Sequence, residues 1–325
     1  MTASTHQLGI VGLGRIGGGL ALQALKRNMQ VIGYDLLGAG DALKAAGIQL
    51  VDKPEQFRLR LQAPRRIFVY VPAGEIIDRV LAQLTTVLEA GDVIVDGGNS
   101  YWGDSIRRFE KCRGEYGIHF VDCGTSGGAR GARNGACFMV GGTKESFDLV
   151  EPILAKLAVN GGLIHCGTPG SGHFVKLVHN GIEFGMLQAI GEGLQLLEHH
   201  REPLPVANIL QTWNHGSVIR SWLIELLEEQ YREYGGPCGI PAHIEDTGEV
   251  NWLIEDAMHM EIPIPVIAQS VMQLLSSRDR SQISQRAVAM MRHGFGEHAY
   301  GPNESVARAR HSSRVGAWLK PDSQS

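Results

Sequence analysis

Apolar residues follow two rhythms along this chain. Through the first half, short unbroken apolar runs alternate with longer segments in which apolar positions recur every three or four residues. The runs are "LGIVG" (8–12), "QVIGYD" (30–35), "RIFVYVP" (66–72), "DVIVDGG" (92–98), "IHFVDCG" (118–124), "CFMVGG" (137–142) and "LIHCG" (163–167). Strands covered on both faces read this way, because neither side of the pleat meets water. Between them, "GGLALQALKRN" and "EIIDRVLAQLTTVLEA" carry the period of helices with one buried face. Strand–helix alternation predicts an α/β domain built on a doubly wound, mainly parallel sheet. After "GTPGSG" (167–172) the strand rhythm stops. Helical periodicity then runs from Phe174 to Arg292, through "ANILQTWNH", "SVIRSWLIELLEEQYREY" and "VIAQSVMQLLSSRDRSQISQRAVAMMRHG". The expected division is an α/β domain over 1–168 and an all-α domain over 169–325, ending in the polar tail "ARHSSRVGAWLKPDSQS".

Composition narrows the function. A length of 325 residues with 43% hydrophobic content supports two domains with real cores. The net charge of −4 offers no basic excess, so no nucleic-acid partner is expected. Five cysteines, an odd number without a CxxC pair, argue against a disulfide framework or a structural zinc and for a reducing compartment. No apolar run reaches the roughly 18 residues of a membrane span. The opening "MTASTHQ" lacks the basic and then apolar stretches of a leader. A soluble, cytoplasmic protein is expected.

The first strand runs into "IVGLGRIGGGL", which contains Gly12-x-Gly14-x-x-Gly17 at the entrance of a helix. In a strand–turn–helix context, the first glycine allows a tight turn and the second lets a pyrophosphate approach the backbone. The third lets helix and strand pack closely. Asp35 ends the second strand, 23 residues after Gly12. A carboxylate there accepts hydrogen bonds from a ribose 2′-OH and repels a 2′-phosphate. Leu36, Leu37 and Gly38 supply no arginine for such a phosphate, so the pattern favours NAD over NADP. A glycine turn without a ligand is the alternative. Arg15 either covers the pyrophosphate or is solvated.

"HFVKLVHNGIEFG" (173–185) sets a polar stripe into an otherwise apolar helical segment. Lys176, His179, Asn180 and Glu183 stand at i, i+3, i+4 and i+7, on one helix face. Burial disfavours the charged forms of lysine and of glutamate, which pulls a lysine pKa down and pushes a glutamate pKa up. Two groups shifted apart in this way can serve as general base and general acid. The rate of such a pair falls at low pH as the lysine protonates and at high pH as the glutamate ionises. The other reading is a Lys176–Glu183 ion pair holding two domains together.

The block "GSGHFVKLVHNGIE" closely resembles the signature of the decarboxylating 6-phosphogluconate dehydrogenases. So do "DGGN" (96–99), "SGG" (126–128) followed by "GAR" (131–133), and "RHGFGEH" (292–298). The blocks occur in the family's order, and the resemblance covers about residues 7 to 300. The length resembles the short, NAD-preferring form within the β-hydroxyacid dehydrogenase superfamily, a Rossmann-type domain followed by a reduced helical one. The resemblance implies oxidative decarboxylation of 6-phosphogluconate to ribulose 5-phosphate, with Lys176 as base and Glu183 as acid, and no metal. It implies substrate contacts from Asn99, Ser126, Gly127, Gly128, His179, Asn180, Arg220, Arg292 and His298. For Ser126-Gly127-Gly128, an ordinary turn is the alternative. The cofactor-binding set then comprises Gly12, Leu13, Gly14, Arg15, Ile16, Gly17, Asp35, Val71, Pro72, Ala73 and Asn99. Arg292 and His298 come from a neighbouring subunit in the family, which implies a homodimer or homotetramer; a solvated helix end is the plain alternative.

Two positions depart from the family pattern. Phe184 stands where the family has a tyrosine, and Asn251 in "TGEVNW" stands where it has a lysine or arginine. Both family residues serve the phosphate, so an unphosphorylated sugar acid is a second candidate substrate. Ala129-Arg130 also differs, and Arg130 is a candidate replacement cation. A nucleotide-binding sensor without turnover is the alternative from another class.

Overall fold

The computed structural model describes residues 6–304 and residue 307. The polar tail from Ala309 therefore lies outside the described residues. Eight strands occur among them: β1 (Gln7–Val11), β2 (Gln30–Tyr34), β3 (Gln49–Leu50), β4 (Arg66–Val69), β5 (Val93–Asp96), β6 (His119–Ser126), β7 (Ala136–Gly141) and β8 (Ala158–Gly167). They form one sheet in the order β3-β2-β1-β4-β5-β6-β7-β8. Every neighbouring pair is parallel except β6 and β7. The strand order reverses between β1 and β4, the place where doubly wound sheets take their ligands.

Seven helices accompany the sheet. They are α1 (Arg15–Lys26), α2 (Asp41–Ala45), α3 (Phe57–Arg60), α4 (Glu75–Leu84), α5 (Trp102–Tyr116), α6 (Gly128–Asn134) and α7 (Lys144–Leu157). After β8 the chain is helical, with α8 (Ser171–Glu198), α9 (Val206–Asn214), α10 (Trp222–Tyr234), α11 (Glu249–His259), α12 (Pro265–Ser276) and α13 (Ile283–Gly296). The architecture is thus an α/β domain followed by helices.

Alternate strand residues feed two apolar layers, as the two-residue period of a strand requires. Leu8, Ile10, Phe68, Val93, Val95 and Val121 enter one layer, while Val11, Ile67, Val69, Ile94 and Phe120 enter the other. Both faces are covered, which is why the strand runs are apolar throughout. Truncating a fully buried ring such as Phe68 or Phe120 to alanine costs about 3–5 kcal/mol.

The chain separates into two compact units. One comprises the described residues up to Ile182 together with Gly248–Ile262, and the other comprises Glu183–Thr247 and the described residues from Pro263. Helix α11 therefore belongs with the sheet although it follows it by some eighty residues. Within that first unit, Asp256 of α11 accepts hydrogen bonds from Tyr101 Oη (2.9 Å) and Trp102 Nε1 (2.7 Å) at the start of α5. The second unit packs Val206, Leu210, Ile224, Val271 and Leu274 inside. There Tyr231 donates to Glu198 at 2.6 Å and Arg278 to Asp246 at 2.5 Å.

Three local features depart from the sequence reading. The two-residue strand β3 was not expected, and both its residues are exposed. The apolar rhythm over 266–294 is two helices: the Asp279 carboxylate takes the Ser281 and Gln282 N–H groups at 2.9 and 3.1 Å, offering the backbone a turn in place of helix. "SVIR" is a loop, because the Ser221 hydroxyl accepts from Ile224 N–H and starts α10 there. Helix α8 is also less buried than its composition suggests, with Val175, Ile182, Met186, Leu187 and Leu196 exposed.

Candidate active site

Three elements of the first unit build a glycine-lined end of the sheet. Gly12 has φ +90°, and a Cβ there would lie 2.2 Å from the Tyr70 carbonyl oxygen. A Cβ at Gly17 would lie 2.0 Å from the Gly12 oxygen. Both positions are closed to any side chain. Gly14 differs, since a Cβ there meets nothing within 4 Å. Its bareness leaves open space at the start of α1, whose first turn carries no side-chain cap. Unpaired N–H groups beside open space fit an anion such as a pyrophosphate. Arg15, the first residue of α1, is exposed, and Leu13 and Ile16 flank Gly14.

Asp35 closes this loop from the end of β2. Its Oδ2 accepts Leu13 N–H at 2.7 Å and its Oδ1 accepts Leu37 N–H at 2.8 Å. A carboxylate has about four lone-pair sites, so room for ribose hydroxyls remains.

The turns after β4 and β5 share one buried anchor. Arg108 of α5 is 2% exposed and donates from Nε to Asp78 Oδ1 at 2.8 Å. It also reaches the Gly74 carbonyl at 3.4 Å and lies 3.7 Å from Asp96 Oδ2. Val71, Pro72 and Ala73 precede Gly74, so Arg108 restrains that turn. The Arg108 hydrogen bond, outweighing partial burial, holds the Asp78 carboxyl below its usual range. Asp96 in turn accepts Gly98 N–H and the Ser100 hydroxyl, which fixes the turn that exposes Asn99. Next to it, burial pushes the Tyr70 phenol well above its ordinary value, and its hydroxyl lies 3.2 Å from Thr125 Oγ1.

Helix α8 meets β6 through a close approach. A Cβ at Gly124 would sit 2.4 Å from the Lys176 Cβ, so the lysine lies against bare strand backbone. Lys176 is 7% exposed. Its Nζ donates to Asn180 Oδ1 at 2.5 Å and lies 3.2 Å from His179 Nδ1. His179 Nε2 lies 3.1 Å from Ser126 Oγ. Four of the sequence candidates therefore form one chain, Ser126–His179–Lys176–Asn180. A pocket lined by Lys176 and Asn180 of that chain also takes in Asn99, Ser100, His173, Leu177, Glu249 and Trp252. Gly127 and Gly128 follow Ser126 with φ of +112° and +58°.

The chain matches known families along nearly its whole length. Residues 7–167 match the "NAD binding domain of 6-phosphogluconate dehydrogenase" and residues 172–315 match the "6-phosphogluconate dehydrogenase, C-terminal domain". The chain belongs to the 6-phosphogluconate dehydrogenase family. A Bacillus subtilis (strain 168) protein provisionally named 6-phosphogluconate dehydrogenase YqeC is 42% identical over 90% of this chain and 98% of its own length. The NAD(+)-dependent, decarboxylating 6-phosphogluconate dehydrogenase of Haloferax volcanii is 40% identical over 90% of this chain and 97% of its own. Among solved structures, Plasmodium falciparum 6-phosphogluconate dehydrogenase superposes with a TM-score of 0.74 at 25% identity. That alignment covers 93% of this chain and 68% of the other, which has been solved apo, with its cofactor NADP+ and with 6-phosphogluconate.

The remaining candidates of this 6-phosphogluconate dehydrogenase family member belong to the second unit. Glu183 continues α8 two turns beyond Lys176. Arg220 is exposed in the loop before α10, Arg292 is exposed on α13, and His298 follows that helix, its carbonyl 2.9 Å from His293 Nδ1. Sequence reading passed over His173, Ser100, Glu249 and Trp252. His173 precedes Lys176 by three residues on the same helix face, which is a usable signal. Glu249 and Trp252 arrive by tertiary return of α11 and leave none. Among the described residues no helix is long and apolar enough to cross a membrane, and no three His, Cys, Asp or Glu side chains cluster to hold a metal ion.

Proposed function

We propose that the protein oxidatively decarboxylates 6-phosphogluconate to ribulose 5-phosphate and carbon dioxide with NAD as acceptor. The observation that carries this reading is the buried Lys176, with Nζ 2.5 Å from Asn180 and linked through His179 to Ser126, in a pocket shared with Asn99. The named activities of the Haloferax and Plasmodium relatives support the substrate class.

Bound NAD supplies the hydride acceptor. The α1 N-terminus, Gly14 and the turns at 71–73 and 97–99 would hold it, with Asp35 at the adenosine ribose. A fixed carboxylate at the end of β2 supports NAD over its 2′-phosphorylated counterpart. Lys176 takes the proton of the C3 hydroxyl as C3 is oxidised to a ketone. The C1–C2 bond of this β-keto acid then breaks, carbon dioxide leaves, and the electron pair moves onto the C3 oxygen. The Lys176 ammonium stabilises that oxygen and returns the proton. Glu183 protonates the former C2 of the enediol, and the ketose results. Asn99, Ser126, Gly127, Gly128, His179 and Asn180 orient the carboxylate and hydroxyls.

Arg220, Arg292 and His298 are the proposed phosphate contacts, the last two from a second copy of the chain. Helix α13 has no buried residue and exposes Val288, Met290, Met291 and Phe295, which supports its being covered in a homo-oligomer. The deciding experiment follows NADH formation and carbon dioxide release with 6-phosphogluconate and with gluconate, each with NAD and NADP. Fastest turnover of 6-phosphogluconate with NAD is expected. Faster turnover of gluconate would assign Phe184 and Asn251 to a changed substrate, and dinucleotide binding without turnover of either would make the protein a sensor.

A further inference from the structure

His173 stands one turn before Lys176 on α8 and is 2% exposed. Its main-chain N–H is taken by Asp122 Oδ2 at 2.9 Å, and its Nδ1 lies 2.7 Å from Ser105 Oγ. The other ring nitrogen, Nε2, is shielded from solvent and has no hydrogen-bond partner among the described residues. His173 lines the pocket together with Asn99, Lys176, Asn180, Glu249 and Trp252.

A buried nitrogen without a partner has given up its water for nothing, and native structures rarely keep such groups without a reason. A phenyl ring would fill the same space without that cost. The steps assigned to Lys176 and Glu183 leave Nε2 unused. A bound state in which it is paired accounts for the histidine. Ser105 sets what it can offer. With the hydroxyl donating to Nδ1, the shorter of its two contacts (Tyr101 O is at 3.3 Å), the ring hydrogen lies on Nε2. A neutral imidazole then offers a donor beside a pocket that already holds the Lys176 amino group and two amides. Such a donor set suits a ligand rich in oxygen acceptors.

We propose that His173 is a further substrate-binding residue, donating from Nε2 to a hydroxyl or carboxylate oxygen of the acid bound beside Lys176. This rests on the reading of that pocket as the sugar-acid site.

The test compares wild type, His173→Phe and His173→Gln in steady-state kinetics with NAD and 6-phosphogluconate, alongside NADH binding by fluorescence and thermal midpoints. His173→Phe is expected to lower kcat/KM roughly tenfold to a hundredfold, mainly through KM, the scale of one hydrogen bond to a charged or polyhydroxy ligand. His173→Gln, whose amide can donate near the same point, should recover part of that loss. Dinucleotide affinity and the thermal midpoint should hold. A His173→Phe enzyme with wild-type kcat/KM, or one that loses dinucleotide affinity to the same degree, overturns the assignment. Should His173→Phe fail to fold, His173→Gln and Ser105→Ala decide, and an unchanged KM in both overturns it. Wild-type protein that neither binds nor turns over 6-phosphogluconate would sink the proposed function and this contact together. Wild-type turnover with an indifferent His173→Phe would sink the contact alone.

Discussion

Asp122 holds the backbone of His173: its Oδ2 takes that N–H at 2.9 Å while Oδ1 takes Gly170 N–H at 2.7 Å. One fully buried carboxylate on β6 thereby caps the first turn of the helix that carries Lys176, His179 and Asn180. Helix starts leave N–H groups unpaired and favour negative charge, so this contact is both a cap and an electrostatic match.

Asp122→Ala should therefore be among the more damaging single changes in the first unit. Each buried donor left unpaired costs about 1–3 kcal/mol. The expected loss for the two is about 2–6 kcal/mol, read by calorimetry as a thermal midpoint lower by several degrees. Asp122→Asn keeps one acceptor oxygen and should lose less. An unchanged midpoint in Asp122→Ala would remove the cap from this account.

Lys176→Met keeps the length of the side chain and removes its proton chemistry. Turnover should fall by about 10²–10⁴, the usual contribution of a positioned base. NADH affinity, measured by fluorescence titration, should stay within about twofold of wild type. Substantial residual turnover would mean that another group takes the hydroxyl proton.

Asp35→Ala tests the cofactor assignment and the loop at once. The ratio of kcat/KM for NAD over NADP should fall about tenfold or more, since a charge-assisted hydrogen bond contributes about 1.5–3 kcal/mol. Because Asp35 also holds Leu13 and Leu37, affinity for both dinucleotides should weaken somewhat. An unaltered ratio would take Asp35 out of the discrimination.

Alkaline stability should depend on Tyr101. Burial, and then its hydrogen bond to the Asp256 carboxylate, pushes this phenol up to about 12. An unfolded tyrosine titrates near pH 10. The folded state thus holds the proton more tightly, a stabilisation complete below about pH 10 and lost as pH rises through about 12. Urea midpoints measured across that window should decline less steeply in Tyr101→Phe than in wild type. Tyr231, raised to about 12 chiefly by its hydrogen bond to Glu198, stays in both proteins as an internal reference. Parallel declines in the two proteins would contradict the assignment.

The apolar surface of α13 gives a test of assembly. Light scattering on a sizing column should return at least a dimer for wild type. Met291→Glu combined with Phe295→Glu should shift it toward the single-chain mass, because both side chains are more than half exposed in one copy. Equal masses would place any interface elsewhere.

Much of this arrangement was legible in the chain itself. The sheet was readable because strands covered on both faces leave continuous apolar runs, and the Lys176 cluster because i, i+3 and i+4 spacing is itself helix geometry. Strand β3 left no trace, being two exposed residues held only by pairing to β2. The break at Asp279 was written in a turn residue inside an apolar rhythm, and the rhythm was the louder signal. The same rhythm reads Arg220 as helical, though Ser221 marks where that helix begins. Glu249 and Trp252 share a pocket with Lys176 only through the return of α11, which no local pattern encodes.

That return sets a schedule for synthesis. Ribosomes add about 5–20 residues per second, so the eighty residues between Ile182 and Ile262 take roughly 4–16 s to appear. Throughout that interval the nascent sheet and the start of α8 are already made while one wall of the pocket is not. A dinucleotide can find its loop early. If the pocket is the proposed sugar-acid site, its ligand must wait until Trp252 has left the exit tunnel, so translation itself orders the ripening of the two sites.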